Sequence, residues 1–259
     1  MKTKTINFSN YSSLKLGGTF EVALLERHTQ GWQEYFLIGG CNNILLSNNP
    51  PPLMMLSKEF DYISINDDNT LSIGAATPSG RVVSFCKKHN IANFEFLAHL
   101  PGKMGGVIFM NAGLKGVEVF ENLLRVELFS GVKQKSEIAY GYRYTDIEEP
   151  ILSATFEISY GFDSKKVQDF ATMRANQPST PSAGSCFKNP PNEYAGRLIE
   201  AVGLKGLRVG GMAFSEQHAN FLVNYGGGKF EDAIWLITEA KRRVLEEFGI
   251  ALECEIQIV

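Results

Sequence analysis

Three glycine-rich turns interrupt apolar, strand-like runs in the first half of the chain and constrain its fold more than any other feature. They are Gly39-Gly40-Cys41-Asn42-Asn43, Pro101-Gly102-Lys103-Met104-Gly105-Gly106 and Asn111-Ala112-Gly113. Such turns bring consecutive backbone N–H groups close to an anion, because no side chain intervenes. Three of them together point to a phosphate-bearing ligand, and a dinucleotide with its pyrophosphate is the economical choice. No GxGxxG runs from a strand into a helix, and no GxxxxGK[ST] occurs anywhere. A Rossmann sheet and a phosphate-loop ATPase are therefore disfavoured.

Around the turns the patterning is mixed. Phe36-Leu37-Ile38 stops at Gly39-Gly40 and resumes as Ile44-Leu45-Leu46, until Asn48-Asn49-Pro50-Pro51-Pro52 breaks the chain. Ile63-Ser64-Ile65 and Leu71-Ser72-Ile73 alternate about four turn-forming residues, as a hairpin does. Thr77-Pro78 predicts a helix with proline at its first position, an apolar face of Val82, Val83, Phe85 and Cys86, and Lys87-Lys88-His89 at its C-terminal end. Strands are expected over 124–129 and 152–158, helices over 163–173 and 194–202, and an extended loop at 177–181 between the helices. The longest predicted helix covers 230–248. Ile234, Ile237, Val244, Leu245 and Phe248 share its apolar face, Glu231 and Asp232 lie in its first turn, and Gly249 ends it. A strand over 252–259 closes the chain. Strands and helices are partly segregated, which makes the fold class α+β.

A net charge of −3 with no basic stripe argues against nucleic acid as a partner. Polar residues follow Met1-Lys2-Thr3-Lys4-Thr5, so no secretory leader is expected, and the apolar runs are too short for membrane insertion. Cys41, Cys86, Cys186 and Cys254 are widely spaced, without metal-ligand spacing. Free thiols in a reducing cytoplasm, with no metal, are the expectation.

Several blocks resemble one family. Gly39-Gly40-Cys41-Asn42-Asn43-Ile44-Leu45 resembles its GGGSNLL turn, with Cys41 where glycine is usual, and residues 101–113 resemble PGxxGGAxxMNAG, preceded by His99 where glycine is common. Leu16-Gly17-Gly18 matches its N-terminal GG, and Tyr142-Arg143 stands at its Tyr-Arg pair. Residues 182–190 resemble SAGSxFKNP, 195–206 resemble AGxLIExxGLKG, 215–224 resemble SxxHAxFxxN, and the ending at Glu255 resembles LxxEV. In order from about residue 10 to the C-terminus, these blocks are similar to the UDP-N-acetylenolpyruvoylglucosamine reductases. Only 41 residues separate Arg143 from Ser185, which matches the shorter subtype without a tyrosine-bearing loop insertion.

The resemblance implies a two-subdomain FAD-binding fold of the VAO-like kind plus an α+β substrate-binding domain. Residues 1–57 and 58–160 would clasp FAD, 161–248 would bind substrate, and 249–259 would return as a strand to the active site. FAD contacts fall on Gly39, Gly40, Cys41, Asn42, Asn43, Pro101, Gly102, Gly105, Gly106, Asn111, Ala112 and Gly113. The implied reaction is the NADPH-dependent reduction of UDP-N-acetylglucosamine enolpyruvate to UDP-N-acetylmuramate, for peptidoglycan. Ser185 would be the general acid, with Arg143 and Glu255 polarising the substrate carboxylate. Tyr142, Arg174, Lys188 and Asn189 are candidate substrate contacts, and His218 is read as structural. No obligate protein partner is evident. Two other readings stay open at this point: an FAD oxidase of the same fold, and a non-catalytic binder of flavin or UDP-sugar.

Overall fold

Contacts in the computed structural model, which describes residues 1–114 and 116–259, divide the chain into two units, each assembled from separated segments. Unit 1 comprises Met1–Lys4, Val22–Gly40 and Pro52–Ala175; unit 2 comprises Thr5–Glu21, Cys41–Pro51 and Asn176–Val259.

Unit 1 is built on two sheets. Strand Leu53–Leu56 lies between Thr19–Leu25 and Phe36–Ile38 and is parallel to both. The second sheet is antiparallel, in the order Gly131–Gln134, Leu123–Leu128, Ile151–Glu157, Thr70–Gly74, Ile63–Ile65. Its central strand has six consecutive buried residues from Ile151 to Phe156, as expected where both faces are covered. Helices Ser79–Lys88 and Met104–Phe109 supply Val82, Cys86, Met104 and Ile108 to the core over this sheet. Phe94 packs edge-on against Phe156 with centroids 5.4 Å apart.

The hairpin expected about 66–69 forms in the anticipated register, with Ile63 opposite Ile73 and Ile65 opposite Leu71. The helix expected after Thr77 begins one residue later than read. Pro78 is its N-cap, with extended ψ of 139°, not its first helical residue. Val82 and Cys86 are buried on that helix, while Val83 and Phe85 are only partly covered. Asp163 caps helix Ser164–Met173 by accepting from Lys165 N–H at 2.8 Å.

Unit 2 holds an antiparallel sheet in the order Ser182–Ser185, Phe221–Asn224, Met212–Phe214, Arg208–Val209. Helices Ala195–Ala201 and Phe230–Phe248 share its core, around Phe187, Leu198, Phe214, Leu222, Leu236 and Val244. The long helix has the expected bounds and ends on Gly249 at φ +66°. Its buried face differs from the expected one. Ala233, Leu236, Ile237, Ala240 and Val244 are inside, and Leu245 is 52% exposed. Leu245 is turned by about 100° from Val244, which carries it past the edge of the buried stripe. The closing strand is also shorter than expected. Only Gln257–Ile258 pairs, in parallel with Ile44–Leu45, and Cys254 forms an isolated bridge to Phe187. Among the described residues no helix is long and apolar enough to cross a membrane.

Candidate active site

In unit 1 helix Met104–Phe109 links the second and third glycine-rich turns. Gly102 O accepts from Ser79 N–H at 3.0 Å, and the first N–H groups of helix Met104–Phe109 go to Thr77 O and Ala75 O. Gly105 fits against Ala75, whose Cβ would lie 3.2 Å from a Cβ on Gly105. At Gly39 and Gly106 a Cβ would meet nothing within 4 Å, and neither residue has a positive φ. Asn111 is fully buried: its Nδ2 donates to Glu118 Oε2 at 2.7 Å and to Gly141 O at 3.0 Å, and its Oδ1 accepts from Phe120 N–H at 3.3 Å. Gly113 lies in a two-residue strand where a Cβ would sit 2.3 Å from Val117 O. Ala112 N–H donates to Val107 O at 2.8 Å.

The Tyr-Arg pair forms the tip of a hairpin between Tyr140–Gly141 and Tyr144–Thr145. Arg143 has φ +56°, a left-handed conformation that costs a non-glycine residue roughly 1–2 kcal/mol. Its guanidinium lies 4.9 Å from the Tyr142 ring centroid, and Nη2 donates to Gly113 O at 3.0 Å. Thr145 Oγ1 donates to Phe109 O at 2.7 Å. With the Asn111–Gly141 bond, these contacts sew the hairpin onto residues 109–113. The structure thus brings Tyr142 and Arg143 to the end of the glycine block in the same unit.

Unit 2 gathers the remaining key residues. Cys41 also adopts a left-handed conformation, φ +51°, at the position where the resemblance places glycine. Its carbonyl accepts from Ser13 N–H at 3.1 Å and Ser13 Oγ at 3.4 Å. Because a trans peptide points C=O and N–H oppositely, the Asn42 N–H is turned away from Ser13. Asn43 Nδ2 donates to Glu255 O at 2.8 Å, and Gln257 N–H donates to Asn43 O at 2.9 Å.

Ser185 ends the strand Ser182–Ser185. The strand's register against Phe221–Asn224 slips between Ser182 and Ser185, where Gly184 has φ +78°. A bulge there re-aims the next side chain. The peptide groups after Ser185 are then all gripped. Cys186 N–H donates to Asn220 O at 2.7 Å, and Cys186 O accepts from Glu255 N–H at 2.9 Å. Phe187 N–H donates to Asn220 Oδ1 at 3.0 Å, and Asn220 Nδ2 donates to Phe187 O at 2.8 Å. Lys188 N–H donates to Glu253 O at 2.9 Å. Ser185 and Glu255 are therefore brought onto adjoining backbone, with Asn43 of the first turn hydrogen-bonded to the same segment. No hydrogen bond among those of the described residues engages Ser185 Oγ. Burial pushes the neighbouring Cys186 thiol well above its ordinary 9.0, and Cys254 adds to that.

The other sequence candidates have partners of their own. Lys188 Nζ holds Glu253 at 2.5 Å. Asn189 Oδ1 accepts from Ala195 N–H at 3.1 Å, next to the start of helix Ala195–Ala201. Arg174 ends helix Ser164–Met173 and donates to His99 O, and burial lowers its pKa. His218 Nδ1 faces Asn220 N–H at 3.3 Å, its ring meets Phe221 edge-on, and burial lowers its pKa. Sequence reasoning passed over Ser13, Asn220 and Glu253. Asn220 occupies a position without a pattern in its block, and nothing in a linear sequence ties Ser13 to Cys41 or Glu253 to Lys188.

A family model described as UDP-N-acetylenolpyruvoylglucosamine reductase, C-terminal domain, matches residues 176–259. The chain is 45% identical over 263 residues to the UDP-N-acetylenolpyruvoylglucosamine reductase of Helicobacter hepaticus, covering all of both. It is 43% identical over 258 residues to the protein of that name from Campylobacter jejuni, covering 98% of this chain and 99% of the other. The crystal structure of the same reductase from Thermus caldophilus superposes with a TM-score of 0.85 at 29% identity, covering 100% of this chain and 99% of that one.

Proposed function

The chain belongs to the family of UDP-N-acetylenolpyruvoylglucosamine reductases, and we propose that it reduces UDP-N-acetylglucosamine enolpyruvate to UDP-N-acetylmuramate with FAD as cofactor and NADPH as reductant. It is an oxidoreductase sharing the α+β fold of that family. The product would enter peptidoglycan synthesis in the cytoplasm.

The observation that carries the reading is the joining of Ser185 and Glu255 through Cys186, with no hydrogen bond of the described residues engaging the serine hydroxyl. Saturating the enolpyruvyl double bond needs a hydride at one carbon and a proton at its neighbour. Bound flavin supplies the hydride. Ser185 donates the proton, and Arg143 grips the substrate carboxylate, where negative charge grows, with two parallel donors. Glu255 joins Arg143 in polarising that carboxylate. The serine alkoxide needs a compensating charge. The Cys186 N–H is already donated to Asn220. Lys188 is held by a carboxylate that is 71% exposed, and so loosely paired an ammonium can change partners.

The turn residues fit a flavin dinucleotide. Gly39 and Gly106 lack side chains where neither packing nor φ requires it, and the Cys41 carbonyl is tied back to Ser13, so that the Asn42 N–H points away from it. In this proposal 1–57 and 58–160 hold FAD, 161–248 holds the sugar nucleotide through Lys188 and Asn189, assisted by Tyr142 and Arg174, and 249–259 carries Glu255.

An anaerobic titration tests this. NADPH should bleach the flavin of the purified protein, and UDP-N-acetylglucosamine enolpyruvate should restore the colour promptly. Recovery with oxygen but not with the sugar would refute the reductase reading.

A further inference from the structure

We propose that Asn220 is a positioning residue for Ser185, an inference that rests on Ser185 being the acid. Asn220 is 3% exposed, and every one of its groups that faces residues 186–187 is used. Its backbone carbonyl takes the Cys186 N–H, and its side-chain amide closes a reciprocal pair with both peptide groups of Phe187. An amide paired in this way imitates a strand neighbour at a point where the ladder has ended, since Ser185 is the last residue to pair, opposite Phe221. The bulge at Gly184 would otherwise leave Ser185 at a frayed strand end. Glu255 holds the same segment from the other side through Cys186 O. Asn220 thus fixes the direction in which Ser185 leaves the sheet and its register with Glu255. It does so without touching substrate.

The test is a double-mutant cycle read on separate half-reactions. Asn220→Ala keeps the backbone bond to Cys186 and loses the two to Phe187. It should slow flavin re-oxidation by the enolpyruvyl sugar about ten- to a hundred-fold, because displacement of a reacting group by about 1 Å costs that much. Flavin reduction by NADPH should stay at the wild-type rate. In a Ser185→Ala background the same substitution should have no further effect on re-oxidation, since it acts only through the serine. Asn224→Ala is the control for burial. Asn224 is similarly enclosed, and its side chain bonds Leu14 O, Lys15 O and two glycine amides, none of them in the 185–188 segment, so the substitution should lower the melting temperature without separating the half-reactions. If Asn220→Ala does not accumulate folded, Asn220→Ser carries the same comparison. Equal slowing of both half-reactions, or equal loss in the Ser185→Ala background, would overturn the proposal. A Ser185→Ala enzyme that re-oxidises at the wild-type rate would sink the acid assignment and this proposal with it. An inactive Ser185→Ala beside an unimpaired Asn220→Ala would sink this proposal alone.

Discussion

Ser185 holds none of the backbone bonds around it with its side chain, so its hydroxyl can be removed without disturbing the fold. Ser185→Ala is expected to melt within a few degrees of the wild type. Its re-oxidation by the sugar should fall by about 10²–10⁴-fold, the usual contribution of a positioned acid, in stopped-flow traces. Two glycines separate packing from ligand approach in the same way. Gly113→Ala places a Cβ 2.3 Å from Val117 O and should destabilise by about 2 kcal/mol or more in denaturant unfolding. Gly106→Ala meets nothing within 4 Å and lies inside a helix, so it should stabilise by roughly 0.5–1 kcal/mol. If flavin approaches that bare surface, equilibrium dialysis will show weaker FAD retention despite the higher stability; undiminished retention would remove Gly106 from the cofactor contacts. At this scale the sequence revealed which residues matter better than why. Asn111, Gly113 and Asn189 stand in recognisable blocks as ligand contacts, yet hydrogen bonds and close packing within the protein already account for their identity. A pattern of residue types does not distinguish the two causes.

Among the elements, the long helix shows what periodicity reveals and what it hides. Its ends are marked by chemistry, with acids in the first turn and Gly249 in the left-handed conformation after the last, so both bounds follow from sequence. Its face is less legible, because two of the five buried positions are alanines that a search for large apolar residues passes over. That distribution makes a prediction. Ala240→Leu forces a larger side chain into a closed contact and should cost about 1–3 kcal/mol in urea unfolding, whereas Leu245→Ser should change stability by less than about 0.5 kcal/mol. A larger loss at Leu245 than at Ala240 would restore the face read from sequence. The closing segment fails for another reason. Its alternation over 252–259 suits a strand, but only Gln257–Ile258 finds a partner in Ile44–Leu45, and pairing is a property of the neighbour as much as of the segment. The same dependence hides the bulge at Gly184.

For the whole molecule, the assembly of each unit from separated segments is invisible to a linear reading, because the breaks at 39–43 and 48–52 mark turns without showing which distant segments join. Its pH dependence, by contrast, follows from groups that can be named. Burial lowers the pKa of His218 below 6.5, so the unfolded chain binds the extra proton first and stability falls as pH drops below 6.5. Hydrogen bonds from Arg197 hold Glu193 at about 2, and those from Arg242 and Arg243 hold Glu239 at about 2. Their contribution is present above the ordinary 4.5 and disappears toward pH 2; the carboxylates are half-buried but their arginine partners are exposed, so this part is small and screened by salt. On the alkaline side burial raises Cys86 from 9.0 to about 12 and Tyr11 from 10.0 to about 12, and it raises Cys186 well above 9.0. Those groups fold neutral and ionise more readily when unfolded, so stability declines above pH 9. The melting temperature should therefore be flat between about pH 7 and 9 and fall on both flanks. His218→Gln, which keeps a polar side chain but cannot titrate, should remove the first part of the acid flank, just below pH 6.5. Calorimetry across that range decides it: a melting temperature that rises from pH 7 to 5, or an acid flank unchanged in His218→Gln, would show that the half-buried histidine does not govern the acid limit.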